Sequence, residues 1–256
     1  MIIANKNMKK VCVGMATYPK REDVVIHTLS SLVDQNCNIC VYLNEYSELP
    51  SWTQSYYFRN VSFTLGKDAF GNIGDAAKFY SFWDNESDYF LPVDDDVLYP
   101  KDYVVTMIHY IEHFNKEAVV CVHGRKFGET CTPIQGYFKD YHKDTKLFHF
   151  LQGHLGLNRV HVPGTGSSGF HRNLKKVIPY AQLMYGERNQ ADIHFAIAHL
   201  KNETPMYSIP RSSNWLSDLS AKSESGSIYD DTVISDLPKE LLNKYLGNNF
   251  QLPKDH

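Results

Sequence analysis

Three consecutive aspartates, Asp94, Asp95 and Asp96, follow the apolar run Tyr89-Phe90-Leu91-Pro92-Val93 and precede Val97-Leu98-Tyr99-Pro100. The run reads as a buried strand that delivers three carboxylates into the turn at its end. Two full charges about 4 Å apart repel by roughly 4 kcal/mol at an effective dielectric near 20. A chain that gathers three of them needs a cation to offset the repulsion. Hard, oxygen-liganded Mn2+ or Mg2+ suits the position, because such ions are held by one or two carboxylates together with substrate phosphates. The competing reading is a solvated acidic turn that caps the following helix. Asp94 and Asp96 lie on the same side of an extended segment, which makes them the expected metal pair, with Asp96 the expected direct ligand.

Further residues have the right chemistry elsewhere. Lys78, one turn beyond Gly74-Asp75, adds a positive charge near phosphates, or else pairs with Asp75 on the surface. Asp192 stands at a helix start, as a general base or as a first-turn acid. The twelve histidines show neither HExxH nor paired i, i+4 spacing, although His154 and His171 are candidates for a third metal ligand and His194 for orienting an acceptor. Trp215 is a candidate for stacking on a ligand ring, or for ordinary packing.

These residues need elements to hold them. Val11 to Ala16, Ile39 to Leu43, Val61 to Leu65, Tyr89 to Val93 and Ala118 to Val122 read as strands. Glu22 to Val33, Asp75 to Trp83 and Lys101 to Phe114 read as the helices between them. Near-continuous apolar strands alternating with helices predict an α/β fold with a mostly parallel central sheet covered on both faces. Ligands of such sheets bind beyond the carboxyl ends of the strands, where Thr17, Asn44, Gly66 and Asp94 fall. The second half is less regular. Gly124 to Gly153 reads as loops or hairpins, and Gln190 to Leu200 and Leu237 to Leu246 as helices. Val160 to Phe170 suggests a strand, and its Gly164, Gly166 and Gly169, around Ser167 and Ser168, mark either a close approach of backbone to a ligand or plain turns. Ser212 to Asp231 has no period and reads as a surface loop or a lid.

Composition bounds the possibilities. The 256 residues suit a single domain, with about 10–120 forming a first half and about 121–256 a second. With 21% charged and 13% aromatic residues the chain is not of the disordered type. A net charge of −3 gives no electrostatic case for nucleic acid. No apolar run approaches the roughly 18 residues that span a bilayer. Met1 to Lys10 lacks the apolar stretch of a signal peptide, so a cytoplasmic location is expected. Cys12 and Cys121 read as small buried hydrophobes, Cys37 and Cys40 form one isolated CxxC, and Cys131 is unpaired.

Four pieces together resemble the GT-A glycosyltransferases, broadly family 2, over about Val11 to Arg211. They are Ala16-Thr17-Tyr18-Pro19-Lys20-Arg21 with Thr28-Leu29-Ser30-Ser31-Leu32 and Gln35; Gly71-Asn72-Ile73-Gly74-Asp75-Ala76-Ala77-Lys78-Phe79; Asp94-Asp95-Asp96, which matches a DxD motif; and Gln190-Ala191-Asp192-Ile193-His194-Phe195-Ala196. The resemblance implies a GT-A-like fold and a donor half ahead of an acceptor half. It implies donor binding by Thr17, Pro19, Arg21, Asn44, Lys78, Asp94 and Asp95, metal binding by Asp94 and Asp96, and catalysis by Asp192. It further implies a Mn2+ or Mg2+ cofactor, a nucleotide-sugar donor such as a UDP-sugar, and a glycan or glycolipid acceptor. Bacterial surface polysaccharide or lipooligosaccharide synthesis at the inner face of the membrane, with at most peripheral membrane contact, follows in the same way. Asn44-Glu45 stands where the family often has a base-binding Asp, and Ala191-Asp192 carries one acid where many relatives have two.

Two other classes compete. A sugar nucleotidyltransferase also needs acidic metal ligands, but Gly14-Met15-Ala16-Thr17 holds one glycine where that class has a Gly-rich phosphate loop. A non-catalytic nucleotide-sugar or glycan-binding module has no need for both Asp96 and Asp192.

Overall fold

The computed structural model describes residues 10–128, 145–220 and 237–246. Its elements run β1 Val11–Thr17, α1 Glu22–Leu32, β2 Asn38–Leu43, β3 Val61–Leu65, β4 Tyr89–Val93, β5 Val97–Leu98, α2 Tyr103–His113, β6 Val119–Cys121 and β7 Gly124–Phe127. The second half continues with β8 Thr145–Phe148, β9 Asn158–Arg159, β10 Val162–Pro163, β11 Ser168–His171, α3 Tyr180–Tyr185, α4 Ala191–Lys201, β12 Met206–Ser208, β13 Ser217–Asp218 and α5 Leu237–Leu246.

An eight-stranded sheet in the order β3-β2-β1-β4-β11-β6-β12-β9 forms the middle layer. Strands β3, β2, β1 and β4 are parallel to one another; the inner strands β1 and β4 are near-continuous apolar runs, whereas the edge strand β3 alternates apolar and polar residues. The sheet is mixed: β11 enters antiparallel between β4 and β6 and β9 lies antiparallel on β12, while β3, β2, β1, β4, β6 and β12 run the same way, as a mostly parallel sheet requires. The strand expected within Val160 to Phe170 is present as two short ones, β10 and β11, and its Gly and Ser residues carry no signal of direction. A smaller sheet, β10-β7-β8, and a two-stranded pair, β13-β5, lie outside it.

Alternate residues of β1 and β4 face opposite layers. Val11, Val13, Met15, Leu91 and Val93 join the core under α1 and α2. Cys12, Phe90 and Phe170 join the core under α4 and α5. Gly74–Phe82 lies on that second face as a 3-10 helix, not the α-helix its apolar spacing predicts. Gly14 explains how closely it is laid down: a Cβ there would fall 2.0 Å from the Lys78 carbonyl oxygen. Tertiary packing against bare backbone overrides the local preference.

Residues 129–144 of the predicted hairpin region, 221–231 of the predicted loop or lid, and Cys131 lie outside the described residues. Within that loop, Ser217–Asp218 is a strand paired with Val97–Leu98. Cys12 and Cys121 are fully buried, as expected, and the Cys40 sulfur sits 3.8 Å from that of Cys12. Among the described residues no helix is long and apolar enough to cross a membrane.

Candidate functional site

Helix α1 holds the aspartate turn through three polar side chains on one face. Thr28 Oγ1 donates to the Asp95 carbonyl at 2.8 Å, Ser31 Oγ accepts from Tyr99 N at 3.1 Å, and Gln35 Nε2 donates to the Pro100 carbonyl at 2.8 Å. Spacings of three and four residues align them along the helix. Just ahead of α1, the buried Arg21 donates from one guanidinium nitrogen to Asp95 Oδ1 at 3.1 Å and to Asp96 Oδ2 at 2.5 Å. Burial pushes the Asp95 carboxyl up to about 7 despite the opposing Arg21 charge, and neighbouring Asp96 adds to the shift. Asp96 is raised by burial and then by Asp94. Arg21 is held above its usual range because Asp95 and Asp96 outweigh its own desolvation.

Asp95 and Asp96 form a turn rather than the expected extended segment, and Asp94 pairs with a different cation while staying an electrostatic neighbour of Asp96. Asp94 Oδ1 accepts from the ammonium of Lys78, which is buried and so is not the surface lysine of the alternative reading. Burial works against the Lys78 charge, but Asp94, Asp75 and Asp192 hold its pKa above the ordinary value. The Asp94 backbone is pinned to the loop after β10: Asp94 N donates to the Gly166 carbonyl at 3.2 Å, and Tyr99 OH bridges Asp94 N and that carbonyl. A Cβ on Gly166 would lie 1.7 Å from Asp94 Oδ2, so at this glycine the backbone closely approaches the protein's own carboxylate.

The same loop reaches Asp192. Thr165 N and Thr165 Oγ1 both donate to Asp192 Oδ1, at 2.8 and 2.5 Å, which occupies one carboxylate oxygen and aims the other. Burial raises the Asp192 pKa against the opposing effects of Lys78 and the Thr165 bonds. Asp192 is thus a first-turn acid of α4 and a member of the cluster at once.

The remaining donor-side candidates flank this cluster. Thr17 is buried at the end of β1, and Pro19 is exposed at the first position of the short 3-10 turn that carries Arg21. Asn44 Oδ1 accepts from Ile73 N at 3.2 Å and its Nδ2 donates to the Gly74 carbonyl at 3.1 Å, so its amide clamps the loop leading to Lys78.

The other candidates lie elsewhere. His171 pairs with Tyr89 at the start of β4, the opposite end of that strand from Asp94. His154 bonds Arg211 at 2.6 Å and Ser208 at 3.1 Å. His194 lies 3.1 Å from Glu187, and Trp215 packs on Tyr103 and donates to Asp102. Three residues not singled out from the sequence, Tyr99, Thr165 and Asp218, belong to the cluster, as does Asp75, expected only as a surface partner of Lys78. Asp218 acts on Asp96 electrostatically, and the adjacent Leu219 N donates to the Asp96 carbonyl at 2.7 Å. Buried Leu216 and Leu219, on either side of Ser217-Asp218, were the available signal for an ordered segment.

The chain matches no protein-family model and has no significant match among curated proteins.

The arrangement gathers Asp75, Asp94, Asp95, Asp96, Asp192 and Asp218 around two cations, Lys78 and Arg21. The carboxyls of Asp75, Asp95, Asp96 and Asp192, pushed up by burial and by neighbouring carboxylates, mark a site short of positive charge. No three His, Cys, Asp or Glu side chains among the described residues form a ready cage for a metal. The donor chemistry nonetheless fits Mn2+ or Mg2+, since Asp94 and Asp96 offer hard oxygens and the Asp94 side chain is 44% exposed. Such ions complete their shells with water and phosphate oxygens.

Proposed function

We propose that this protein is a metal-dependent, inverting glycosyltransferase of GT-A type. It moves a sugar from a nucleotide-diphosphate donor, such as a UDP-sugar, to a hydroxyl of a glycan or glycolipid acceptor. The observation that carries the reading is the Thr165-Gly166 loop, which contacts the Asp192 carboxylate with one residue and Asp94 with the next. A proton acceptor and an acidic, lysine-bearing phosphate site are thereby set at a fixed separation beyond the strand ends.

The chemistry divides between these residues. Asp94 and Asp96 would hold Mn2+ or Mg2+, which when bound offsets charge on the departing diphosphate. Lys78, locked between the 3-10 helix and Asp94, contributes a second fixed positive charge there. Asp192 accepts the acceptor hydroxyl proton on its second oxygen, because Thr165 occupies the first. The hydroxyl oxygen bonds to the anomeric carbon as the bond from that carbon to the diphosphate breaks on the opposite face. One base and one displacement invert the configuration. Surface-glycan synthesis on the cytoplasmic side of a membrane, through at most peripheral contact, is the setting that matches this chemistry.

Thermal shifts with a panel of nucleotide sugars, with and without Mn2+, test the reading. The cognate donor at 100 times its dissociation constant stabilises by about 2.7 kcal/mol. Stabilisation that persists unchanged in excess EDTA rejects the metal-dependent reading, and pyrophosphate release from a sugar phosphate and a nucleoside triphosphate would point to a nucleotidyltransferase instead.

A further inference from the structure

Two chain segments more than a hundred residues apart are fastened beside the cluster. The Asp75 backbone N–H donates to Asn189 Oδ1 at 3.3 Å, and the Asp75 carboxylate answers across the gap by accepting from the Ala191 backbone N–H at 3.2 Å. Ala191 is the first residue of α4, and Asp192 is the next. The helix has no side-chain cap of its own, since Gln190 makes no capping hydrogen bond. Asp75 therefore supplies from another element an acceptor for one of the N–H groups that a helix start leaves unpaired. Its other oxygen, Oδ1, is buried with no hydrogen-bond partner among the described residues, and Lys78, Asp192 and Asp94 are its electrostatic neighbours.

A buried carboxylate placed among other carboxylates is a costly way to cap a helix. A Ser or Asn would satisfy the same N–H without that charge. What this position adds is a connection. Asp75 lies in the first turn of the 3-10 helix that carries Lys78 three residues later, and its side chain ends on the helix that carries Asp192. The Asn44 amide holds Ile73 and Gly74 to the end of β2, so the clip is anchored to the sheet.

We propose that Asp75 is a positioning residue that fixes Asp192 relative to Lys78 and Asp94 by capping α4 from the phosphate side of the site. This rests on Asp192 being the base. The mechanical part, the cap itself, does not depend on the reaction. Placement of a proton acceptor within a few tenths of an ångström governs rate far more than donor binding. The loss of Asp75 accordingly falls on kcat.

The experiment compares Asp75→Ala and Asp75→Asn with wild type in the full chain. Backbone amide exchange over Ala191–His194 reads the cap, and kcat and donor KM read its consequence. Asp75→Ala should raise exchange at the start of α4 and lower kcat about 10- to 100-fold, with donor KM within about threefold of wild type. Asp75→Asn keeps an acceptor oxygen for Ala191, so it should restore protection and most of kcat. Asn189→Gly removes the partner bond without touching Asp75 and should reproduce the kcat-selective loss, which keeps the test open should Asp75→Ala fold poorly. Wild-type exchange at Ala191 in Asp75→Ala overturns the proposal, as does an Asp75→Asn variant as impaired as Asp75→Ala. A wild type without transferase activity is a failure of the glycosyltransferase reading, and the exchange comparison still decides the cap.

Discussion

The carboxylate of Asp94 rests in the space that a side chain on Gly166 would fill, with Oδ2 only 1.7 Å from where its Cβ would stand. The backbone N–H of Asp94 is bonded to the carbonyl of that same glycine. Gly166→Ala should therefore expel the carboxylate while leaving the strand in place. The atom that must move ends a half-exposed side chain, so the stability cost should stay within about 1–3 kcal/mol. Loss of the Asp94 contact to Lys78 should weaken metal-dependent donor binding about 10-fold or more. Calorimetric titration of donor and Mn2+ against wild type and variant measures it; equal affinities in a well-folded variant reject the assigned place of Asp94.

Arg21 gives a stability prediction with a pH sign. It lies buried against Asp95 and Asp96, and removing one member of such a pair leaves uncompensated charge worth about 3–5 kcal/mol. The Asp95 carboxyl already sits at about 7, above its unfolded value. A carboxyl raised on folding contributes stability at low pH that is lost as pH climbs toward the folded pKa. Without Arg21 that pKa rises further. Arg21→Met should thus be more destabilised at pH 8 than at pH 6, as measured by urea unfolding at both. A variant equally destabilised at the two values argues against buried, ionised partners.

His199 predicts the opposite slope. It is buried on α4, neither ring nitrogen has a hydrogen-bond partner among the described residues, and desolvation pushes its pKa down to about 3. The unfolded chain takes up a proton near pH 6.5 while the folded one does not, so stability falls as pH drops from about 6.5 toward 3. His199→Leu should abolish that part of the dependence. The informative quantity is the difference in unfolding midpoint between wild type and variant at pH 7 and pH 5. A constant difference contradicts a neutral, buried His199.

The elements that position the site were legible where burial is two-sided. Strands such as Tyr89–Val93 have every residue buried and show it as an unbroken apolar run. Thr28, Ser31 and Gln35 stood out as part of a resemblance, and the structure gives them a physical task in tying α1 to the aspartate turn. What stayed hidden depends on contacts between distant segments. Nothing near Asp95 announces that Arg21, 74 residues earlier, is its partner. The antiparallel entry of β11 rests on Ser, Gly and Phe, which alternate in no useful way. Asp75 was quoted inside a motif but given no task beyond pairing with Lys78, because its hydrogen-bond partner lies 116 residues away on α4.

The most direct test of the central claim is the anomeric configuration of the transferred sugar. With the cognate nucleotide sugar, Mn2+ and acceptor, proton NMR of the product reads that configuration from the coupling at the anomeric position. A single displacement with Asp192 as base predicts a product of configuration opposite to the donor's. It also predicts that Asp192→Asn lowers kcat by about 100-fold or more with donor affinity nearly unchanged. A product with the donor's own configuration, or an Asp192→Asn enzyme that turns over like wild type, would contradict the account.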